Sequence, residues 1–260
     1  MTHGEKRVYL IKYLLEEGNY EYEIPADEAR QRQLLRGLMN VRPPRPIGED
    51  FLKVQDAYLG ELLAERGVVD VNALTPVEGR FYLWRGDITR LNADAIVNAA
   101  NSGMTGCYQP NHSCIDNVIH TMAGVQLRLK CAMLMTAQGH PEPTGQAKLT
   151  PAYNLPSRYV MHTVGTICPG GVVTPRNVRE LESCYRACMA LADESALKSI
   201  AFCCISTGVF GFPQRRGAEV AVRTVKAALE AGSGVEKVIF NVFKPEDEEY
   251  YRAILGKSNP

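Results

Sequence analysis

The segment Cys107-Tyr108-Gln109-Pro110-Asn111-His112-Ser113-Cys114 brings two thiols and an imidazole into one short stretch. Those donors suit a borderline-soft ion such as Zn2+. Pro110 and the preceding glycines make the stretch irregular, which lets the donors fold inward. The paired Cys-x-x-Cys spacing of a zinc finger or ribbon is missing, so spacing alone also admits a chance grouping. A structural zinc site normally closes with four protein donors, whereas a catalytic one keeps a position open. Asp116 and His120 follow on the next helical segment and could add a fourth donor, although His120 also fits as a core histidine. The reading adopted is three protein donors, Cys107, His112 and Cys114, with one open position.

A second chemistry is suggested by Ser206-Thr207-Gly208-Val209-Phe210-Gly211-Phe212-Pro213. Gly208 and Gly211 permit turns that expose amide N–H groups, and a helix start just beyond favours an anion such as a phosphate. Phe210 or Phe212 could stack on a sugar or a base. A plain strand-to-helix turn would look similar. Asp87, in Arg85-Gly86-Asp87-Ile88-Thr89, could accept from an adenine amino group or cap a turn, and composition favours the cap. Asn98 and Asn101 could hold ribose hydroxyls or bond loop backbone.

These residues need a frame. Residues 76–260 alternate apolar strands with amphipathic helices. Strands are expected in RFYLWRGD, ADAIVNAAN, RYVMHTVG, KSIAFCCIST and VEKVIFNVF. Helices are expected in SCIDNVIHTMAGVQLRLKCAMLM, RNVRELESCYRACMALADES, RRGAEVAVRTVKAALEAG and PEDEEYYRAIL. This alternation predicts an α/β sheet covered on both faces, with ligands at the carboxyl ends of the strands. Residues 1–75 are rich in Leu, Glu and Arg and read as a small helical N-terminal region, broken at Pro43, Pro44 and Pro46.

Lys plus Arg equals Asp plus Glu at 29 each, so a broad electrostatic footprint for nucleic acid is disfavoured. No apolar run is long enough to span a bilayer and no secretory signal is evident, so a cytoplasmic protein is expected. Eight cysteines in a reducing compartment argue against a disulfide framework. Cys131, Cys184, Cys188, Cys203 and Cys204 read as buried apolar residues, while Cys168 stays open.

Taken together, Gly86-Asp87-Ile88-Thr89, Ala95-Ile96-Val97-Asn98-Ala99-Ala100-Asn101, Asp116-x-x-Ile119-His120 and Ser206-Thr207-Gly208-x-Phe210-Gly211-x-Pro213 resemble the macrodomain family in content and order. The cysteine- and histidine-bearing insertion and the N-terminal extension are similar to its zinc-containing bacterial and fungal branch. That insertion stands where other hydrolytic members carry a glycine-rich run, so their catalytic schemes do not transfer directly.

The resemblance implies a three-layer α/β/α sandwich with a mixed sheet and a cleft for ADP-ribose. It implies removal of mono-ADP-ribose from modified proteins, in some members from lipoylated carrier proteins. Asp87 would take the adenine amino group with Ile88 beside it, and Asn101 would hold the distal ribose. Ser206, Thr207, Gly208, Val209, Phe210, Gly211 and Phe212 would cradle the diphosphate with backbone from Cys114, Ile115 and Asp116. Zinc-assisted hydrolysis at the distal ribose, with Asn101 orienting and Asp116 as acid, base or orienting group, is the expected chemistry. A reader module that binds ADP-ribose around a structural zinc, without cleaving it, is the alternative.

Overall fold

Nearly every residue of Ala95–Ala100 and all of Ser199–Phe202 is buried, which leaves no strand face for water and requires cover on both sides. The computed structural model describes residues 1–256. Its strands are β1 (Pro76–Glu78), β2 (Phe81–Arg85), β3 (Ala95–Ala100), β4 (Ala147–Pro151), β5 (Tyr159–Val164), β6 (Ser199–Phe202) and β7 (Lys237–Val242). They form one sheet in the order β1-β2-β7-β6-β3-β5-β4. β2, β7, β6, β3 and β5 run parallel, while β1 and β4 add antiparallel edges, so the sheet is mixed.

The helices are α1 (His3–Gly18), α2 (Glu28–Val41), α3 (Glu49–Arg66), α4 (Ile115–Ala123), α5 (Val125–Gln138), α6 (Pro175–Glu194), α7 (Gln214–Glu230) and α8 (Pro245–Leu255). Helices α4 to α8 flank the sheet in the expected three-layer α/β/α arrangement, with α6, α7 and α8 packed side by side and α4 and α5 against β3 and β4, while α2 packs on α4 from outside. No helix among the described residues is long and apolar enough to cross a membrane.

One expected helix is two. The stretch 113–135 breaks at Gly124, which takes φ +90° and ψ 174°. A Cβ there would lie 2.6 Å from Gln55 Nε2 and 3.0 Å from Asn154 Nδ2, so tertiary neighbours demand a glycine. The apolar run after Lys198 is also shorter as a strand, ending at Phe202. Cys131, Cys184, Cys188 and Cys203 are buried, as is Cys168, but Cys204 is only half-buried.

The first three helices share an apolar core of their own, built from Leu10, Ile11, Leu14, Leu35, Phe51, Tyr58 and neighbours, and joined by Val125 of α5. Thr2 and Glu5 form a reciprocal capping box at the start of α1. Because the central strands are parallel, their carboxyl ends share one edge. The segments leaving that edge carry Asp87 after β2, Asn101–Cys114 after β3 and Ser206–Phe212 after β6.

At the opposite edge Asp94 ties β3 to β6. It accepts from the amides of Lys198 (2.8 Å) and Ser199 (3.0 Å) and from Arg158 (2.9 Å). Burial opposes its ionisation, but these donors outweigh burial and hold the carboxyl below its usual range. Its stabilisation is therefore complete above the unfolded value of about 3.9 and disappears as pH falls through the lower folded value. Asp94→Asn is expected to lower stability by about 1–2 kcal/mol near neutral pH. Urea unfolding across a pH series should show that gap narrowing below about pH 4.

Candidate active site

The segment after β3 is irregular and turns on Met104 (φ +61°) and Asn111 (φ +56°), both in the left-handed region. It gathers Cys107, His112 and Cys114 so that their donor atoms lie within 4.8 Å of one another, with Cys107 Sγ 3.7 Å from His112 Nδ1. All three are half-buried. Burial raises the Cys114 thiol, and the neighbouring Cys107 sulfur raises it further. A divalent cation would reverse that penalty by favouring both thiolates. Two sulfurs and one imidazole nitrogen in this arrangement fit a zinc ion. Asp116 and His120 fall outside the group, which leaves three donors.

Cys114 is the N-cap of α4 but makes no side-chain capping bond. The amides of Ile115 and Asp116 have no acceptor among the described residues, so the helix start offers free N–H groups beside the metal segment. In the same first turn, the Asp116 side chain is buried. Its Oδ1 accepts from Asn98 Nδ2 (2.8 Å) and its Oδ2 from Asn101 Nδ2 (3.3 Å). Burial pushes its carboxyl up to about 6, against the opposing pull of Asn98, Arg128 and Asn101. Asn98 continues to His162 Nδ1 (3.2 Å), and His162 Nε2 to Thr150 Oγ1 (2.9 Å), forming a buried polar chain. Burial pushes His162 down to about 3, so its ring is neutral.

Asn101 is half-buried and engaged through both side-chain polar atoms. Besides Asp116 it donates to the Gly106 carbonyl (3.1 Å), and its Oδ1 accepts from the Gly103 amide (2.9 Å). Of the two roles weighed for it from sequence, ribose hydroxyls or loop backbone, these bonds display the second.

In the loop after β6, Ser206 takes φ +66° and Gly211 φ +73°. The loop closes through Phe212 N to Ser206 O (2.9 Å) and Gly211 N to Gly208 O (3.0 Å). The amides of Gly208, Val209 and Phe210 find no acceptor among the described residues, and Gly208 and Val209 are exposed. Such a run of free N–H groups is an anion cradle. Thr207 is tied back through Oγ1 to the Cys204 carbonyl (3.0 Å). Phe212 is 1% exposed and belongs to the core, so Phe210, which is half-buried, is the only one of the two able to stack on a ligand.

Asp87 does cap its turn: its Oδ1 accepts from Thr89 N (3.0 Å) and Thr89 Oγ1 (2.6 Å). Its Oδ2 pairs with the guanidinium of Arg66 at the end of α3, a contact no sequence signal indicated. Ile88 is 1% exposed, so it faces the core and can offer only backbone to a ligand.

A second group, His120, Cys131 and His162, is wholly buried with its donors within 4.8 Å of one another. His120 shares its pocket with the Arg128 guanidinium, which would repel a cation. Burial, then His162 and Arg128, keep His120 neutral, as befits a core histidine.

A family profile described as the Macro domain matches residues 97–221. A Treponema medium protein named protein-ADP-ribose hydrolase is 54% identical across 98% of this chain and 100% of its own length. A Staphylococcus aureus protein of the same name is 51% identical across 86% of this chain and 85% of its own. Among solved structures, a Trypanosoma brucei macrodomain in complex with ADP-ribose superposes with a TM-score of 0.66 at 29% identity, covering 91% of this chain and all of that one.

The loop geometry yields a paired test. A Cβ on Gly211 would lie 2.7 Å from the Cys168 carbonyl oxygen at φ +73°, whereas one on Gly208 meets nothing within 4 Å. Gly211→Ala should cost about 1–3 kcal/mol in denaturant unfolding, and Gly208→Ala less than about 0.5 kcal/mol. Equal effects would contradict this loop geometry.

Proposed function

The chain belongs to the macrodomain family, and we propose that it is a zinc-dependent hydrolase that removes mono-ADP-ribose from modified proteins. The observation that carries the zinc part is the three-donor group of Cys107, His112 and Cys114, which shares its loop with Asn101 and ends on the N-cap of α4. The names of the relatives support the hydrolase part. A lipoylated carrier protein is the acceptor that the family resemblance suggests. Eight cysteines, none of them paired, suit a reducing compartment such as the cytosol.

In this reading the amides of Gly208, Val209 and Phe210 and those of Ile115 and Asp116 bind the diphosphate. Asp87 receives the adenine amino group on Oδ2, which it shares with the Arg66 guanidinium, because Oδ1 already accepts twice from Thr89. Asn101 holds the distal ribose in a fixed orientation. Asp116, oriented by Asn98 and Asn101, supplies the carboxylate that takes up or returns a proton at Oδ2. A zinc ion held by Cys107, His112 and Cys114 would act there as a Lewis acid and lower the pKa of a bound hydroxyl or water.

Turnover of a mono-ADP-ribosylated protein tests this reading. Cys107→Ala and His112→Ala should bind no zinc and lose at least roughly a hundredfold in kcat, the scale of Lewis-acid stabilisation. Asp87→Ala should raise KM roughly tenfold to a hundredfold with kcat little changed. Full turnover by folded, zinc-free variants would remove zinc from the mechanism. Tight ADP-ribose binding by the wild type without release from any linkage would instead favour a reader.

A further inference from the structure

We propose that Arg36 and Asn40 of α2, acting with Asn117 of α4, are positioning residues that set the geometry of the metal-binding segment. The N-terminal helices are then a working part of the hydrolytic site. The inference rests on the zinc reading above and concerns what holds the donors in place.

Segment 107–114 makes little backbone structure of its own: within it, His112 N reaches Gln109 O at 3.3 Å, and Asn111 sits at φ +56°. Asparagine adopts that left-handed conformation readily, but the conformation alone does not fix where the loop lies. The bonds that do so come from outside the loop. Arg36 Nη2 donates to the His112 carbonyl (2.7 Å) and to Asn117 Oδ1 (3.0 Å). Asn117 Nδ2 donates to the carbonyls of Gln109 (2.9 Å) and Cys107 (3.4 Å). Asn40 Oδ1 accepts from the Asn111 amide (2.9 Å), and its Nδ2 donates to Thr121 Oγ1 (2.9 Å). Thr121 Oγ1 in turn donates to the Asn117 carbonyl (2.7 Å), which closes the network.

The carbonyls of two of the three zinc donors, and the amide of Asn111 between them, are therefore bonded to α2 directly or through Asn117. Asn40 is 1% exposed and Asn117 0%, so water cannot replace these bonds. Gly37, in the middle of α2, is explained by the same contact. A Cβ there would lie 3.3 Å from Asn111 Nδ2 and 3.9 Å from the Pro110 Cβ, so a glycine lets the helix come close to the loop. Arg128 of α5 braces the junction from the other side. Its Nη1 donates to the carbonyls of Asn40 (2.7 Å) and Arg42 (2.6 Å), and its guanidinium lies 4.3 Å from the ring centroid of Tyr108 in the metal segment. Groups that orient metal ligands through such bonds typically change affinity about 10–100-fold when removed.

The test measures zinc affinity on the full chain by competition with a chromophoric chelator, and the visible spectrum of the Co2+-loaded protein. Arg36→Gln and Asn40→Ala should each bind zinc about 10–100-fold more weakly and shift the Co2+ bands. Arg36→Lys, which keeps a cation at the same end of the side chain, should recover most of the affinity. Arg32→Gln, on the exposed side of the same helix, should match the wild type. The two loss variants act on different atoms of the loop, so a folding failure of one leaves the other to decide. Wild-type affinity and an unchanged Co2+ spectrum in a folded loss variant would overturn this inference alone. A wild type that takes up no zinc would overturn the metal reading and this inference together.

Discussion

Between β3 and α4 the chain runs without the hydrogen bonds of a helix or a sheet, and residues 108–111 of it are exposed. Its shape is set instead by side chains that bond its carbonyls and amides. Those side chains come from α2, distant in sequence, from α4, which follows the loop directly, and from the start of the loop itself. Arg36 and Asn40 come from α2, Asn117 from α4, and Asn101 closes the start of the loop on Gly106. The donors Cys107, His112 and Cys114 inherit their geometry from this arrangement. An irregular loop can carry chemistry here because rigid helices bond its backbone.

The same arrangement reaches the buried carboxylate of Asp116. Its partners Asn98 and Asn101 bracket the exit of β3, and Asn98 also joins His162 on β5. The centre of the sheet is thus linked to the start of the Cys107–Cys114 segment through buried Asn98 and Asp116 and half-buried Asn101. The N-terminal helices also meet the segment after β2, with Arg66 of α3 paired to Asp87. A helical unit that shares an apolar core with Val125 therefore touches the segments that leave both β2 and β3.

Much of the frame was legible in the sequence because burial wrote it there. Val97, Ile200 and Phe240 lie in apolar runs that only a covered sheet can use, and PEDEEYYRAIL carries its own start and stop. The donor types at Cys107, His112 and Cys114 were equally legible, since all three fall in one loop. What the sequence hid depends on contacts between distant residues. Gly124 breaks a helix because Gln55 and Asn154 crowd it, which no local pattern encodes. Phe212 faces inward because the loop closes through its own amide onto Ser206. Arg36 and Asn40 looked like ordinary polar positions of an amphipathic helix, because the atoms they hold lie 71–81 residues further along the chain.

The central claim is that three protein donors hold a zinc ion at the ribose end of the cleft and leave its shell open. X-ray absorption at the zinc edge of the purified, ligand-free protein tests it most directly. The account predicts a first shell of two sulfurs at about 2.3 Å and one nitrogen at about 2.0 Å, completed by a light atom from solvent that changes when ADP-ribose is added. A shell closed by four protein donors and indifferent to ADP-ribose would contradict it.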